Sequence, residues 1–149
     1  MDLKDDVGYL LQHVAFVLGR HSDQVLQEQL GLGFSQFKIL MVLEHKPHIR
    51  QRQIADMLGQ TEASISRQIK LMSEMGLLQS KISADNRREH ITTLTTKGER
   101  FSVKAMDVLN RYHSPMFNDM SSKDQQRLRE LLEHLHGHAC RFSSNECLK

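Results

Sequence analysis

Residues 50–78 read RQRQIADMLGQTEASISRQIKLMSEMGLL, and this stretch carries the clearest structural pattern of the sequence. Two segments with helical periodicity, 51–58 and 61–75, flank Gly59. Glycine adopts the left-handed geometry that commonly ends a helix, so Gly59 is suited to terminate the first segment. Thr61 is suited to cap the second, because its hydroxyl can accept a bond from a free amide of the first turn. The stretch therefore predicts a helix, a tight turn and a second helix.

The second of these helices has an apolar and a polar face. Its apolar residues recur at i, i+4 and i+7, the spacing of one buried stripe: Ile65, Ile69 and Met72. We predict that small and polar residues of this helix bind DNA. They lie at its start, on the face opposite the buried stripe and beside that face: Thr61, Ala63, Ser64, Ser66, Arg67, Gln68 and Lys70. Small residues let a helix enter the major groove, serine and glutamine bond base edges, and arginine binds guanine in a bidentate way. An ordinary solvated face is the alternative.

The segments that follow predict a β-hairpin. Residues 77–82 and 90–95 read as strands, and the loop between them carries Arg87 and Arg88. Arginine is attracted to the negative potential of a narrow minor groove, and Lys81 at the base of the hairpin is placed to meet phosphate. A solubilising loop is the alternative. Directly after a helix-turn-helix, the hairpin favours a winged helix that binds DNA.

Helical patterns also precede this region. An apolar periodicity beginning at Val7 predicts a long amphipathic helix that ends before Gly31. Ser35 is a candidate cap for the next helix, which Pro47 stops because the residue before proline avoids helical geometry. The inward-facing residues expected in this helix are Phe37, Leu40, Met41 and Val42.

Two more helices are predicted after the hairpin. One begins near Thr96 and is expected to break or kink at Pro115. Ser122 with Gln125 resembles a capping box for the last helix. That helix has a leucine stripe: Leu128, Leu131, Leu132 and Leu135. The apolar stripes at the two ends of the chain exceed what a compact unit of residues 34–96 can cover, which indicates a partner.

Length and charge are consistent with this organisation. The chain has 149 residues, enough for one domain, and a net charge of only +2. The charge is uneven: residues 1–30 carry two basic and five acidic groups, whereas residues 48–100 carry nine basic and six acidic groups. The basic middle is expected to face an anion. The sequence lacks the long apolar run of a membrane span and the pattern of a secretion signal, so a cytoplasmic location is expected.

The motifs of common enzyme classes are missing from the sequence. It contains no phosphate-binding glycine loop, no nucleophile elbow and no HExxH. We therefore predict a protein that is not an enzyme and needs no cofactor.

Taken together, these segments resemble the MarR family of bacterial transcription regulators. FSQFKILMVL (34–43) is similar to the second helix of the family, and residues 50–78 are similar to its helix-turn-helix. DNRREHITTLTTKG (85–98) is similar to its wing, with the paired arginines aligned. Asn86 replaces the usual wing aspartate, so Asp85 or Asn86 is expected to anchor the wing, and Thr92 stands where an aliphatic residue is common.

The resemblance implies a mainly α fold with a winged helix-turn-helix over residues 34–97. Residues 1–33 and 98–142 would supply dimerisation helices, and 143–149 would form a frayed tail. It further implies a homodimer that binds a near-palindromic operator on double-stranded DNA, most often as a repressor that responds to a small molecule.

Three alternatives remain open. The first is a winged helix that binds protein and has no role on DNA. The second is metal sensing, because His134 and His138 lie one helical turn apart and such pairs bind zinc or nickel. The third is thiol sensing through Cys140 and Cys147, which would need a lowered thiol pKa.

Overall fold

A computed structural model describes residues 5–142 of the chain, with side chains up to Cys140. Six helices and three strands occur in that range, and the predicted mainly α fold with a small wing is confirmed. In chain order they are α1 (Val7–Leu30), α2 (Phe34–His45), β1 (Ile49–Arg50), α3 (Gln51–Leu58), α4 (Glu62–Glu74), β2 (Leu78–Ile82), β3 (His90–Leu94), α5 (Thr96–Asn118) and α6 (Ser122–Phe142).

Helix α2 forms the centre of the core. It packs against α1, α3, α5 and β3, and helices enclosed on several sides become apolar nearly all round. Its buried residues are Phe37, Ile39, Leu40, Val42 and Leu43, while Met41 is half-buried. The inward positions predicted from periodicity are thus confirmed.

The helix-turn-helix follows the local signals of the sequence. Gly59 ends α3 with φ of 63°, and its amide donates to the carbonyl of Ala55. The hydroxyl of Thr61 accepts a bond from the Ser64 amide at 3.2 Å and caps α4. The buried stripe of α4 is the predicted one: Ile65, Ile69 and Met72. Local capping and one apolar face are sufficient to orient the polar face of α4 away from the core.

The three strands form an antiparallel sheet in the order β1-β3-β2. Thr92 lies in the central strand and is fully buried, opposite Ser80 of β2. The two hydroxyl oxygens are 3.1 Å apart and hydrogen-bonded, so the threonine that replaces a common aliphatic residue has its polar atom satisfied.

Two residues fix the return from the wing to the helical body. The hydroxyl of Thr95 donates to the carbonyl of Gly76 at 2.6 Å and accepts from the Gly98 amide at 3.0 Å. Gly98 lies so close to the sheet that a Cβ atom there would overlap the carbonyl oxygen of Leu77. This contact explains why a glycine is required in the first turn of α5.

The expected cap of α2 at Ser35 is wrong. The cap position is Gly33, two residues earlier, and the helix begins at Phe34, whose amide donates to the carboxylate of Asp23 in α1 at 2.8 Å. The amide of Gly33 donates to the side chain of Gln36 at 3.0 Å. A carboxylate from a neighbouring helix therefore supplies the cap that a hydroxyl was expected to supply.

Of the break or kink expected at Pro115, the break does not occur, because α5 continues to Asn118. Proline removes the amide that would bond the carbonyl of Arg111. The hydroxyl of Ser114 lies 3.4 Å from that carbonyl and donates to it. The Ser114 hydroxyl thus partly replaces the lost backbone bond.

The cap of α6 lies one residue before the predicted one. The hydroxyl of Ser121, not of Ser122, accepts from the Asp124 amide at 3.1 Å. The side chain of Gln125 instead donates to the carbonyls of Phe117 and Met120 at 2.9 and 3.1 Å. Gln125 therefore ties α6 to the end of α5.

The apolar stripes at the two ends of the chain are largely exposed. Helix α6 makes little contact with the other described elements. The exposed apolar residues of α1, α5 and α6 include Val7, Leu10, Leu11, Val14, Phe16, Tyr112, Met116, Phe117, Leu131, Leu132 and Leu135. Within residues 5–142, no helix combines the length and apolarity needed to cross a membrane. The predicted frayed tail lies outside the described residues.

Candidate nucleic-acid interface

The outer face of α4 is accessible along its length. The exposed members of the predicted DNA-binding set on or next to this helix are Thr61, Ala63, Ser66, Arg67 and Lys70. They lie opposite the buried stripe, as the periodicity predicts. Among the described side chains, none forms a hydrogen bond or ion pair with the Arg67 guanidinium or the Lys70 ammonium, so both can reach a ligand.

Two predicted reading residues, Ser64 and Gln68, are only half exposed. The Gln68 amide nitrogen donates to Gln60 Oε1 at 2.8 Å and to the Ser64 hydroxyl at 3.3 Å. Both side chains therefore lie at the edge of the polar face and are held there by Gln60, a residue that the sequence reasoning did not single out.

The wing carries its arginines at the tip. Arg87 and Arg88 are exposed in the loop between β2 and β3, and Lys81 is exposed on β2. The side-chain oxygen of Asn86 accepts a bond from the Arg88 amide at 3.1 Å. Asparagine at the position of the usual aspartate thus supplies an oxygen that orders the backbone of the loop. Both arginines of the ordered loop are accessible to a ligand.

An ion pair joins the wing to the helix-turn-helix. Arg50 Nε lies 2.8 Å from the Glu89 carboxylate, with both side chains partly exposed. This pair holds the wing against the start of α3. A cleft of about 480 Å³ opens beside it, and its lining includes Arg52, Arg88 and the acidic Glu62.

Arg50 and Arg52 are cations that the sequence-based prediction missed. Arg52 is exposed next to the wing and adds positive charge to the same side of the domain as Arg88. The available signal was the spacing of the two arginines in RQRQ, at the start of the first helix of the helix-turn-helix. Asp56, Glu62 and Glu89 line the same cleft, so its charge is mixed, and the exposed Arg52 adds a cation beside the wing.

A second cavity is lined by residues of α1 and of the start of α2. It has a volume of about 860 Å³ and opens between α1 and α2. Arg20 lies over the ring of Phe16 at 5.9 Å, and Lys38 lies over the ring of Phe34 at 5.5 Å. All four line the crevice, and so does Ser35. Cations above aromatic rings are suited to hold a small organic anion.

The residues considered for metal and thiol sensing lie on α6. The rings of His134 and His138 are 4.7 Å apart in an edge-to-face arrangement. His136 Nε2 lies 3.3 Å from Cys140 Sγ, whereas Cys147 is outside the described residues. No cluster of three or more histidine, cysteine, aspartate or glutamate side chains suited to a metal ion occurs in the part of the chain that the structure describes.

Comparison with known proteins adds to this geometry. Residues 30–89 match the model of the MarR family. The chain is 26% identical over 140 residues to the HTH-type transcriptional regulator TcaR of Staphylococcus aureus, covering 88% of this chain and 89% of TcaR.

Solved structures share the whole architecture. MarR superposes with a TM-score of 0.81 at 22% identity, covering 89% of this chain and 98% of MarR. The transcriptional repressor CouR bound to a 23-mer DNA duplex gives a TM-score of 0.77 at 22% identity, covering 91% and 95%. CouR from Rhodococcus jostii RHA1 bound to p-coumaroyl-CoA gives 0.73 at 21% identity, covering 91% and 94%. The segment 30–89 is therefore similar to the MarR family, and the chain shares the winged-helix fold of these solved structures.

Proposed function

We propose that this protein is a MarR family transcription regulator that binds double-stranded DNA in a sequence-specific way as a homodimer, and that it represses transcription until a small molecule binds. The observation that carries the proposal is the accessible polar face of α4, flanked by the exposed arginines of the wing. Such a protein acts where bacterial DNA lies, in the cytoplasm.

The reading face is suited to the major groove. Ala63 and Ser66 are small enough for the start of α4 to approach base edges, and Arg67 is long enough to bind guanine in a bidentate way. Lys70 and Lys81 are placed to neutralise phosphate. Arg87 and Arg88 extend from the same side of the domain, where an adjoining minor groove would attract them.

The dimer proposal rests on the exposed apolar stripes of α1, α5 and α6. Leu131, Leu132 and Leu135 are each between 41% and 47% exposed in the isolated chain. Contiguous apolar surface of this kind marks an interface in a soluble protein. A twofold dimer would present two copies of α4 to successive major grooves, about one helical turn apart, and would select a near-palindromic operator.

The crevice between α1 and α2 is the proposed effector site. It joins a proposed dimerisation helix to the winged-helix unit, so an occupant would contact both. Its two cations, Arg20 and Lys38, favour an anionic small molecule. The solved complex of CouR with p-coumaroyl-CoA supports a small-molecule effector for a protein of this fold. The effector would favour a dimer whose reading helices no longer match the operator spacing.

The wing provides the test of DNA binding. The double substitution Arg87→Ala with Arg88→Ala should lower operator affinity at least about tenfold, because two cations per subunit leave the DNA surface. The slope of log affinity against log salt should become shallower by up to about 4 units for the four arginines of a dimer.

Arg127→Ala with Arg129→Ala on α6 is the matched control, since it removes the same charge from another element. If the wing variant binds DNA as tightly as the parent, the wing does not meet DNA, and a winged helix that binds protein becomes the better account.

A further inference from the structure

A polar network connects the reading helix to the body of the domain through Gln60. Gln60 lies in the turn between α3 and α4, and its amide nitrogen donates to the Ser35 hydroxyl of α2 at 2.7 Å. Its oxygen accepts from the amide nitrogen of Gln68 at 2.8 Å and from the Ser64 hydroxyl at 3.4 Å. One side chain therefore contacts two residues of α4 and one of α2.

From these contacts we infer that Gln60 is a positioning residue for base recognition: it fixes the side chains of Ser64 and Gln68 at the edge of the reading face. The inference rests on the proposed DNA-binding function. Gln60 itself is half-buried and acts through Ser64 and Gln68, which lie on the helix that faces DNA.

The geometry explains why these two residues need support. Glutamine has three rotatable side-chain bonds, so an unsupported Gln68 at the helix surface would sample many rotamers. Bonds from its nitrogen to Gln60 and Ser64 select one of them. Within residues 5–142, the Gln68 oxygen is buried without a partner, and the nitrogen donates to Gln60 and Ser64. Gln68 therefore supports the Ser64 hydroxyl, which keeps an acceptor lone pair for a base. Preorganised side chains lose less entropy on binding and reject wrong bases more strongly.

The network also reaches the proposed effector site. Ser35 lines the crevice between α1 and α2 and accepts the bond from Gln60. An anion in the crevice that accepts a bond from the Ser35 hydroxyl would set the orientation of the same hydroxyl that accepts from Gln60. Gln60 thus links the crevice to the reading face through two consecutive side-chain bonds, which is a physical route for the effector to alter base preference.

The experiment compares base preference rather than affinity alone. The full chain and its variants each select sequences from a pool of random double-stranded DNA, and the ratio of affinities for the best site and for each single-base variant of it is then measured. Gln60→Met keeps the length of the side chain and removes its hydrogen bonds. It should reduce discrimination by about five- to tenfold at the base pairs nearest Ser64 and Gln68, and leave discrimination at the wing positions unchanged.

Gln60→Glu is the conservative variant. Its two oxygens can accept from the Ser35 hydroxyl and the Gln68 amide, so base discrimination should be retained, while overall affinity falls because a negative charge approaches DNA. Ser35→Ala removes the other end of the network and should shift discrimination at the same base pairs as Gln60→Met, to a smaller extent. Gln125→Ala is the control. It also removes a partly buried side-chain amide that makes two hydrogen bonds, but at a position far along the chain from α4.

The results distinguish a failure of the proposed DNA binding from a failure of the inference about Gln60. If the parent chain selects no sequence, the proposed function fails. If the parent is selective and Gln60→Met keeps the same discrimination at every base pair, with only a lower melting temperature, Gln60 has a merely structural role and the inference is overturned.

Discussion

At the scale of single residues, Gly98 shows how one contact constrains the junction between wing and helix. Its backbone lies against the Leu77 carbonyl, and a side chain has no room there. Thr95 binds the same segment through the Gly76 carbonyl. The position of the wing relative to α5 therefore depends on two residues of the sequence TTKG.

Replacement of Gly98 by alanine should destabilise the protein by about 3 kcal/mol, because the new methyl group would force the strand and helix apart. Gly137→Ala is the matched control: a Cβ atom there meets nothing within 4 Å, and alanine favours a helix by up to about 1 kcal/mol over glycine. Urea unfolding of both variants measures the difference. Equal free energies of unfolding for the two variants would show that the strand and helix at Gly98 make room for the methyl group without cost.

A second residue-scale prediction concerns His113 of α5. Burial, and then the nearby His21, lower the pKa of His113. The Ser22 hydroxyl of α1 lies 3.4 Å from its Nε2 atom, and the ring of Tyr112 lies beside it. The folded state therefore disfavours the protonated imidazole at the contact of α1 with α5.

Because the unfolded chain binds this proton more readily, stability should fall as pH drops below the unfolded pKa of about 6.5. His113→Asn should lose less stability than the parent between pH 7 and pH 5, whereas His90→Asn, at an exposed position of the wing, should keep the parent's dependence. Chemical unfolding at a series of pH values checks this. Identical pH profiles for the parent and His113→Asn would contradict the assigned role of burial.

At the scale of elements, α5 contains a proline that does not end it. The helix tolerates Pro115 because only the Arg111 carbonyl loses its backbone partner, and the Ser114 hydroxyl lies nearby. Proline in a helix interior nevertheless remains costly.

Pro115→Ala should restore the backbone bond and raise the free energy of unfolding by about 1 to 3 kcal/mol. Thermal and urea unfolding measure the gain. A loss of stability would mean that the proline ring makes a packing contact worth more than the missing hydrogen bond.

The elements also show what sequence patterns can and cannot predict. The helix-turn-helix was predicted almost to the residue, because Gly59 and Thr61 act through contacts within their own turn. The cap of α2 was missed because its acceptor, Asp23, belongs to another helix. Gln60 was missed for the same reason, since its partner Ser35 is 25 residues away. Contacts between elements leave no periodic signal in the sequence.

At the scale of the whole molecule, the leucine stripe of α6 predicts assembly. Leu131→Asp with Leu135→Asp places four charges in the interface of the proposed homodimer. Leu131 and Leu135 are 47% and 45% exposed in the isolated chain, so the loss of four such leucines costs roughly 3 to 5 kcal/mol. The four buried charges add to this cost, so the parent should be a dimer and the variant a monomer at micromolar concentration. Light scattering after size exclusion measures both. Ile82→Asp, at an exposed apolar position of the wing, should remain dimeric. A monomeric parent would remove the basis for a palindromic operator.

In the proposed homodimer, α4 and the wing of each subunit form a DNA-reading surface, so the active protein has two such surfaces. Selection by the full chain from a pool of random double-stranded DNA tests this most directly. We predict enrichment of a near-palindrome whose half-sites are about 10 base pairs apart from centre to centre, with Arg67→Ala relaxing the preference at one base pair of each half-site. A parent chain that enriches no sequence, or one whose selected site is unchanged by Arg67→Ala and by the double wing substitution, would contradict it.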